Sequence, residues 1–188
     1  MPSTTSPNAL VHYGDWDDHS RSHPALKFLE KFVHYWDSRE WIRDPSTSAN
    51  WLTSDFVLQK ADGSLVTGSD AAIADLQAIY EPLTAHLHDP RYIVIHDSKD
   101  GWEMLAQAVL YANLVGEPAK EEVRAKDGKG KEWDMGVPSA FHVRFAKDDT
   151  AKNGMGILIK MEELMSDSGV AVGILLKRGV LSAKDLGL

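Results

Sequence analysis

The chain has 188 residues, a formal net charge of −8 and no cysteine. Nucleic-acid phosphates bind to basic surfaces, so the acidic balance and the absence of a Lys/Arg cluster argue against a nucleic-acid partner. Without cysteine there are no disulfides and no thiolate catalysis. No apolar run approaches the roughly 20 residues that span a bilayer, and the start "MPSTTSPNAL" does not resemble a signal peptide. We therefore expect a cytoplasmic protein with no membrane partner and a small-molecule or protein ligand.

The N-terminal part of the chain is predicted to be an arm followed by a helix. Residues 1–23 are rich in Ser, Thr, Pro and charge, which favours a flexible arm. Its His and Asp residues are an alternative metal site, but no regular spacing directs them to one point. Pro24 then begins a helix, because Pro is tolerated in a first turn. Apolar residues recur at helical spacing as far as Trp36, and Asp37 falls at the border of their face.

Shorter elements are predicted between this helix and the second half of the chain. Two short helices are expected on either side of a turn at Asp44–Pro45. The stretch "FVLQKADGSLVTG" has the pattern of a small hairpin. A further helix is expected after it, with an apolar stripe that extends to Leu87 and with Pro82 bending the helix or ending it early.

The second half of the chain is predicted to form a sheet. Its strands are expected to be consecutive antiparallel neighbours near 91–96, 102–115, 137–146 and 155–165. The polar stretch Gly116–Gly136 is expected to be the exposed end of a long hairpin. Helices that are segregated from antiparallel strands indicate an α+β fold. There is no internal repeat and no long linker, so residues 24–165 are taken as one domain.

The stretch "YWDSREW", Tyr35 to Trp41, ends the first predicted helix. Its last six residues are similar to the Tyr-Asp-Ser-Lys-Asp-Trp stretch of the scytalone dehydratases. With the order of elements over residues 24 to about 165, this resembles the nuclear-transport-factor-2-like superfamily. The resemblance implies a cone-shaped fold, in which a curved antiparallel sheet wraps around N-terminal helices and encloses an internal pocket. It also implies an active-site carboxylate at Asp37, with Trp36 in the position of the family's tyrosine.

Histidines are the candidate partners of this carboxylate. The stretch "AHLHDPRYIVI" is similar to the His-bearing entry into a strand in small polyketide cyclases and dehydratases, which makes His86 and His88 candidates. They follow Pro82 and precede Asp89–Pro90, so we expect a helix end or loop where only one of them turns inward.

A third histidine is a candidate because of a difference from the family. The dehydratases use a histidine on a central strand, and "WEMLAQAVLYANL" contains none. His142 on the next strand is the remaining candidate if its face points inward. The alternative is an exposed strand face, on which Arg144 pairs with Glu162 across the sheet.

The predicted site combines Asp37 and one histidine as general acid and base. The alternative for Asp37 is a helix-end carboxylate bonded to Arg39, Arg43 or a backbone N–H. Substrate contacts are predicted from aromatic and amide side chains, each of which also has a structural interpretation: Tyr35, Trp41, Trp51, Tyr80, Gln107, Tyr111 and Asn113. No cofactor is predicted. No metal is predicted either, because no third ligand is spaced to complete the two-histidine pair.

Two functions remain open from the sequence. The first is a cofactor-independent dehydratase, isomerase or cyclase that acts on a small apolar or aromatic metabolite with a ring, such as a polyketide or terpenoid. The second is a non-catalytic ligand-binding or dimerisation domain of the same fold. A homodimer is expected. Residues 166–188 are too apolar to leave in water, so this extension is predicted to be a lid over the open mouth of the cone or a dimer contact.

Overall fold

The secondary structure is given by a computed structural model, which describes residues 9–187. Its strands are β1 (Leu10–Tyr13), β2 (Leu52–Gln59), β3 (Leu65–Thr67), β4 (Leu83–Asp97), β5 (Gly101–Leu114), β6 (Ala125–Lys126), β7 (Glu132–Trp133), β8 (Met135–Lys147) and β9 (Ile157–Ser166). Its α-helices are α1 (Asp18–Arg21), α2 (Pro24–Ser38), α3 (Glu40–Arg43), α4 (Ser69–Tyr80) and α5 (Gly169–Lys177), and 3₁₀ helices cover Pro45–Asn50 and Ala183–Leu186. Within the described part of the chain, every helix is too short or too polar to cross a bilayer.

The main sheet has seven strands in the order β1-β4-β5-β8-β9-β2-β3. The strands β4, β5, β8 and β9 are consecutive antiparallel neighbours, which confirms the predicted arrangement. The hairpin of β2 and β3 is also antiparallel as predicted, but β2 joins β9 in parallel. The sheet is curved and unclosed, and the α+β prediction is confirmed.

Helix α2 packs an apolar face onto this sheet. Pro24 occupies its first turn, and the helix ends where Arg39 adopts the left-handed conformation at φ 62°. Phe28 is fully buried and meets Phe145 of β8 edge to face, with ring centroids 6.1 Å apart. Burying a side chain of this size stabilises the fold by about 1.5–3 kcal/mol. The packing holds the last turn of α2, and with it Asp37, beside β4.

The prediction of a flexible arm is wrong for the described residues of 1–23. Strand β1 pairs with β4 at the edge of the sheet, and α1 follows it. His12 is buried, and its Nε2 lies 2.9 Å from the carbonyl oxygen of Asp15. The edge of β4 satisfies backbone groups that composition alone leaves without partners. Residues 1–8, the rest of the predicted arm, lie outside the described residues.

The helix predicted to extend its apolar stripe to Leu87 ends earlier. Helix α4 stops at Tyr80, since Pro82 cannot donate a helical hydrogen bond, and the chain passes directly into β4. His86 and His88 therefore lie on a strand and not on a helix end or loop. Two residues that are two apart on a strand share a face, so both histidines turn the same way.

The C-terminal extension packs on its own domain. Leu175 of α5 is buried in the main core. Arg178 lies 2.5 Å from Glu122 and 2.9 Å from Asp134, which joins the C-terminal segment to the hairpin end at Gly116–Gly136. That hairpin end is not merely an exposed turn, because β6 and β7 pair within it and bury part of it.

Candidate active site

Asp37 and His88 form a hydrogen-bonded pair at the junction of α2 and β4. Their Oδ1 and Nδ1 atoms are 2.7 Å apart, and the backbone N–H of His88 also donates to both carboxylate oxygens at 3.2 Å. The side chains are 14% and 11% exposed. We assign the proton to Nδ1, because only that tautomer donates to the carboxylate. The free lone pair of His88 is then on Nε2.

Tyr80 continues this chain of hydrogen bonds. Its hydroxyl oxygen is 3.1 Å from Nε2 of His88. Burial raises the pKa of Tyr80, and the charge of Glu162 raises it further, so the phenol keeps its proton. Tyr80 therefore donates to Nε2, and the order of donors and acceptors is Tyr80 to His88 to Asp37.

An apolar cavity opens beside this chain, between α2, α4 and the inner face of the sheet. About 90 Å³ of it is open to the centre of a water molecule. Its walls are mostly aromatic and aliphatic, and among the described residues that line it the polar ones, apart from the indoles, are Tyr80, His88, Gln107 and Glu162. A mostly apolar pocket with a few convergent polar groups is the usual form of a small-molecule site.

Glu162 of β9 is a cavity residue that the sequence did not indicate. Burial raises its pKa to about 6. Strict alternation along β9 places Ile159 and Glu162 on opposite faces, yet both line the cavity. A register shift between Ile159 and Met161 reverses the alternation, and such an irregularity leaves no clear signal in the sequence. Arg144, the predicted partner of Glu162, lies 3.4 Å from Glu103.

His142 is not part of this cavity. Its strand neighbours Phe141 and Val143 line the cavity, so His142 lies on the outer face of the sheet. There its Nε2 is 2.6 Å from Glu103 and its Nδ1 is 3.4 Å from Glu163. The catalytic prediction for His142 is wrong, and the exposed-face alternative describes its position.

The predicted aromatic contacts divide between cavity and core. Tyr80 lines the cavity, but Trp41 is fully buried behind it, stacked on Trp36 with centroids 3.9 Å apart. Trp36 is the tryptophan that lines the cavity at this point. Tyr35 and Trp51 stack on each other at 5.2 Å away from the cavity lining. None of these three rings lines the cavity, which corrects their assignment as substrate contacts: Trp41 is buried in the core, and Tyr35 and Trp51 are half-buried and pack against it.

The polar residues predicted on β5 divide in the same way. Gln107 lines the cavity. The Tyr111 hydroxyl accepts a hydrogen bond from Arg91 at 3.1 Å, and the Asn113 side-chain oxygen accepts one from the backbone N–H of Asp134 at 3.2 Å. Tyr111 and Asn113 hold neighbouring segments together and do not reach the cavity, which corrects their assignment as substrate contacts.

His86 lies behind the pair, away from the cavity lining. It is 5% exposed, and its Nε2 is 3.7 Å from Oδ1 of Asp37. Burial and the neighbouring His88 lower its pKa to about 4, so the ring is neutral. The oxygen and nitrogen atoms of Asp37, His86 and His88 lie within 4.8 Å of one another, which makes these three residues able to hold a metal ion.

A polar groove lies on the other side of the pair, and Asp37 and His88 both line it. The groove has a volume of about 520 Å³ and shares Trp16, His88 and Pro90 with the cavity. Asp37 therefore faces the groove and reaches the cavity only through His88. Trp16, from the supposed arm, closes one side of the cavity. No described residue of 166–187 lines it, so the predicted C-terminal lid does not cover this cavity.

Comparison with known proteins relates this architecture to solved structures. A putative scytalone dehydratase from Novosphingobium aromaticivorans matches with a TM-score of 0.55 at 14% identity, over 76% of this chain and 84% of that one. Aln2 from a Streptomyces species matches with a TM-score of 0.53 at 12% identity, over 80% and 93%. Nuclear transport factor 2 from Cryptosporidium parvum matches with a TM-score of 0.51 at 8% identity, over 75% and 93%.

The chain has the nuclear-transport-factor-2-like fold. No family model and no curated protein matches the chain. At identities this low, the likeness to solved structures concerns the fold alone, and this fold hosts enzymes, ligand binders and interaction domains. Function in a nuclear-transport-factor-2-like domain has to be argued from the site itself, which here is the Asp37–His88 pair and the cavity beside it.

Proposed function

We propose that the protein is a cofactor-independent dehydratase, isomerase or cyclase that acts on a small ring-containing metabolite by general acid/base chemistry. The observation that carries the proposal is the Asp37–His88 hydrogen bond, with the second nitrogen of the histidine directed toward an apolar cavity. The neutral imidazole of His88 is the base. When it takes a proton from the substrate, the carboxylate of Asp37 stabilises the imidazolium that forms.

Tyr80 makes the availability of His88 as a base depend on the substrate. Its hydroxyl donates a hydrogen bond to Nε2 of His88. A substrate carbonyl that accepts the Tyr80 hydrogen bond leaves Nε2 free to remove the proton on the adjacent carbon. The same O–H then faces the oxygen on which enolate charge develops, where a donor stabilises the transition state most.

Glu162 supplies the complementary acid. Its raised pKa of about 6 keeps a fraction of the carboxyl protonated near neutral pH. In a dehydration, His88 takes the carbon-bound proton, the C–O bond breaks, and Glu162 protonates the hydroxyl that leaves as water. In an isomerisation, the same carboxyl returns a proton to another carbon of the enolate.

The cavity walls indicate the substrate class. Phe32, Trp36 and Phe141 line the space beside His88, and the other walls are mostly aliphatic. Aromatic walls favour a flat apolar ring, and few polar groups are available for its substituents. A small polyketide or terpenoid with one reactive carbonyl fits this description.

The test is turnover of a panel of small cyclic β-hydroxy ketones of the polyketide and terpenoid type, in buffer that contains EDTA. Loss of water creates a conjugated double bond, so the reaction is followed by ultraviolet absorbance. We expect turnover by the wild type and by His96→Gln, the matched control on the same strand, and loss of turnover in His88→Gln. Ligands that bind the wild type without any turnover would contradict the enzyme and leave a non-catalytic ligand-binding domain.

A further inference from the structure

His86 lies next to the Asp37–His88 pair, but the proposed acid/base mechanism gives it no role. Its side chain has no exposed surface, and neither ring nitrogen has a hydrogen-bond partner. Burying an imidazole in this way costs free energy, since both nitrogens lose water without replacing it. A buried polar group left without a partner calls for a specific explanation, such as a bound ion.

The neighbours of His86 provide the rest of a metal site. Oδ1 of Asp37 is 3.7 Å from Nε2 of His86 and 2.7 Å from Nδ1 of His88. Four-coordinate metals with bonds of about 2.1 Å hold their ligand atoms roughly 3.4 Å apart. The separations of Asp37 from His86 and from His88 are therefore each within about 1 Å of ligand spacing, and the ligand atoms of all three residues lie within 4.8 Å of one another.

We propose that Asp37, His86 and His88 bind a first-row divalent metal ion such as Zn²⁺. Two imidazole nitrogens and one carboxylate oxygen form a donor set that such ions prefer, and a set of three leaves coordination positions open. Because Asp37 and His88 line the polar groove, the open positions face the groove and not the apolar cavity. Binding goes beyond the proposed function, since it needs no substrate and no turnover.

The groove also favours the approach of a cation. Among its described lining residues, five carboxylates face three Lys and Arg side chains. An excess of negative charge in a concave surface concentrates cations near it. A cation would thus reach the site through the polar groove, and His86 lies on the opposite, buried side of the site.

Metal binding has a consequence that rests on the proposed function. A metal ion on Nδ1 of His88 replaces the proton that Asp37 accepts, and the remaining ring proton is then on Nε2. In that form His88 is a donor toward the cavity and cannot act as a base. Zn²⁺ is therefore expected to inhibit turnover, and EDTA to restore it.

The experiment measures Zn²⁺ binding by calorimetry on the full-length protein, after treatment with EDTA and desalting, and without substrate. We expect one equivalent to bind to the wild type. His86→Phe fills the same space without a ligand atom and is expected to weaken binding by about 100-fold or more. The control is His142→Gln, which disrupts the His–carboxylate cluster on the outer face and should leave the affinity unchanged.

Three results would overturn the proposal: no Zn²⁺ binding by the wild type, unchanged affinity in His86→Phe, or loss of binding in His142→Gln. Circular dichroism in EDTA checks that His86→Phe is folded, and Asp37→Asn is the replacement test if it is not. The acid/base function and the metal site are contradicted by different results. Turnover in EDTA without Zn²⁺ binding would leave the acid/base chemistry standing, and Zn²⁺ binding without turnover of any compound would leave only the metal site.

Discussion

Two histidine–carboxylate pairs lie on opposite faces of the same sheet, and their hydrogen bonds are nearly equal in length. His88 is 2.7 Å from Asp37 on the inner side, and His142 is 2.6 Å from Glu103 on the outer face. They differ in what the second ring nitrogen meets. That of His142 lies 3.4 Å from another carboxylate, Glu163, whereas that of His88 reaches a phenol and an apolar cavity.

This comparison shows that a close carboxylate does not by itself make a catalytic histidine. His142 has a carboxylate beside each ring nitrogen and lies on the outer face, so neither nitrogen is directed toward the cavity. His88 has one nitrogen on a carboxylate and the other directed toward an apolar cavity, so it keeps a nitrogen that can act as a base. The predictions below separate the inner pair from the outer one, from the largest effect to the smallest.

The largest expected difference is in turnover. His88→Gln removes the proposed base and should lower kcat by roughly 10³-fold on any compound that the wild type turns over. His142→Gln changes only the outer face and should leave kcat within about twofold. Steady-state assays of both variants in EDTA check the pair. Equal losses in the two variants would mean that the inner and outer histidines do not differ in the way proposed.

Asp37→Asn should have the next largest effect. The amide keeps the shape of the side chain but cannot stabilise an imidazolium at His88, so we expect turnover to fall roughly 10²-fold or more with little change in unfolding free energy. Glu103→Gln is the matched change at the outer pair and should not affect turnover. Wild-type turnover in Asp37→Asn would remove this carboxylate from the mechanism.

The pH dependence of stability should have opposite signs at the two faces. Glu162 has a pKa of about 6 in the folded protein, raised by burial from 4.5, so the native state holds its proton more tightly than the unfolded chain. Its contribution to the unfolding free energy therefore decreases as pH rises through 4.5 to about 6. Between low pH and pH values above this range, the contribution of Glu162 to the unfolding free energy changes by about 2 kcal/mol. Glu162→Gln should remove this loss and be more stable than the wild type at pH 7.5.

Glu103 provides the control for that measurement. Burial acts to raise its pKa, but the hydrogen bond from His142 and the charge of Arg144 outweigh burial and lower it. A lowered carboxyl pKa contributes stability above the unfolded pKa and loses it as pH falls, so Glu103→Gln should destabilise at pH 7.5. Urea unfolding of both variants at pH 5 and pH 7.5 measures the signs. If Glu162→Gln and Glu103→Gln were both more stable than the wild type at pH 7.5, the predicted difference in sign between the two faces would be wrong.

The smallest effect is expected at Arg144. Its side chain is 56% exposed, and its Nε lies 3.4 Å from Oε1 of Glu103. Exposed pairs of this kind contribute little, so Arg144→Ala should lower the unfolding free energy by no more than about 1 kcal/mol. Urea unfolding at pH 7 measures it. A loss of several kcal/mol would show that this face is buried in an assembly, such as the predicted homodimer.

Local patterns determined much of the fold from the sequence. Helical spacing after Pro24, the hairpin before α4 and the strands of the second half are all present where periodicity predicted them. The same spacing located Asp37 at the end of α2, and the resemblance around Tyr35–Trp41 assigned the fold. These features are decided within a few residues of one another, where backbone geometry and the apolar period leave few alternatives.

The tertiary structure alone decided the composition of the site. Pairing with an edge strand ordered the segment from Leu10 and brought Trp16 to the cavity. Pairing with β5 made the segment after Pro82 a strand and put His86 and His88 on one face of it, and a register shift in β9 turned Glu162 inward. Each of these outcomes depends on hydrogen bonds between strands and not on the pattern of residues within one segment. Local periodicity contains no information about such partners. It could therefore place Asp37 at the end of α2 but could not predict which residues lie around it.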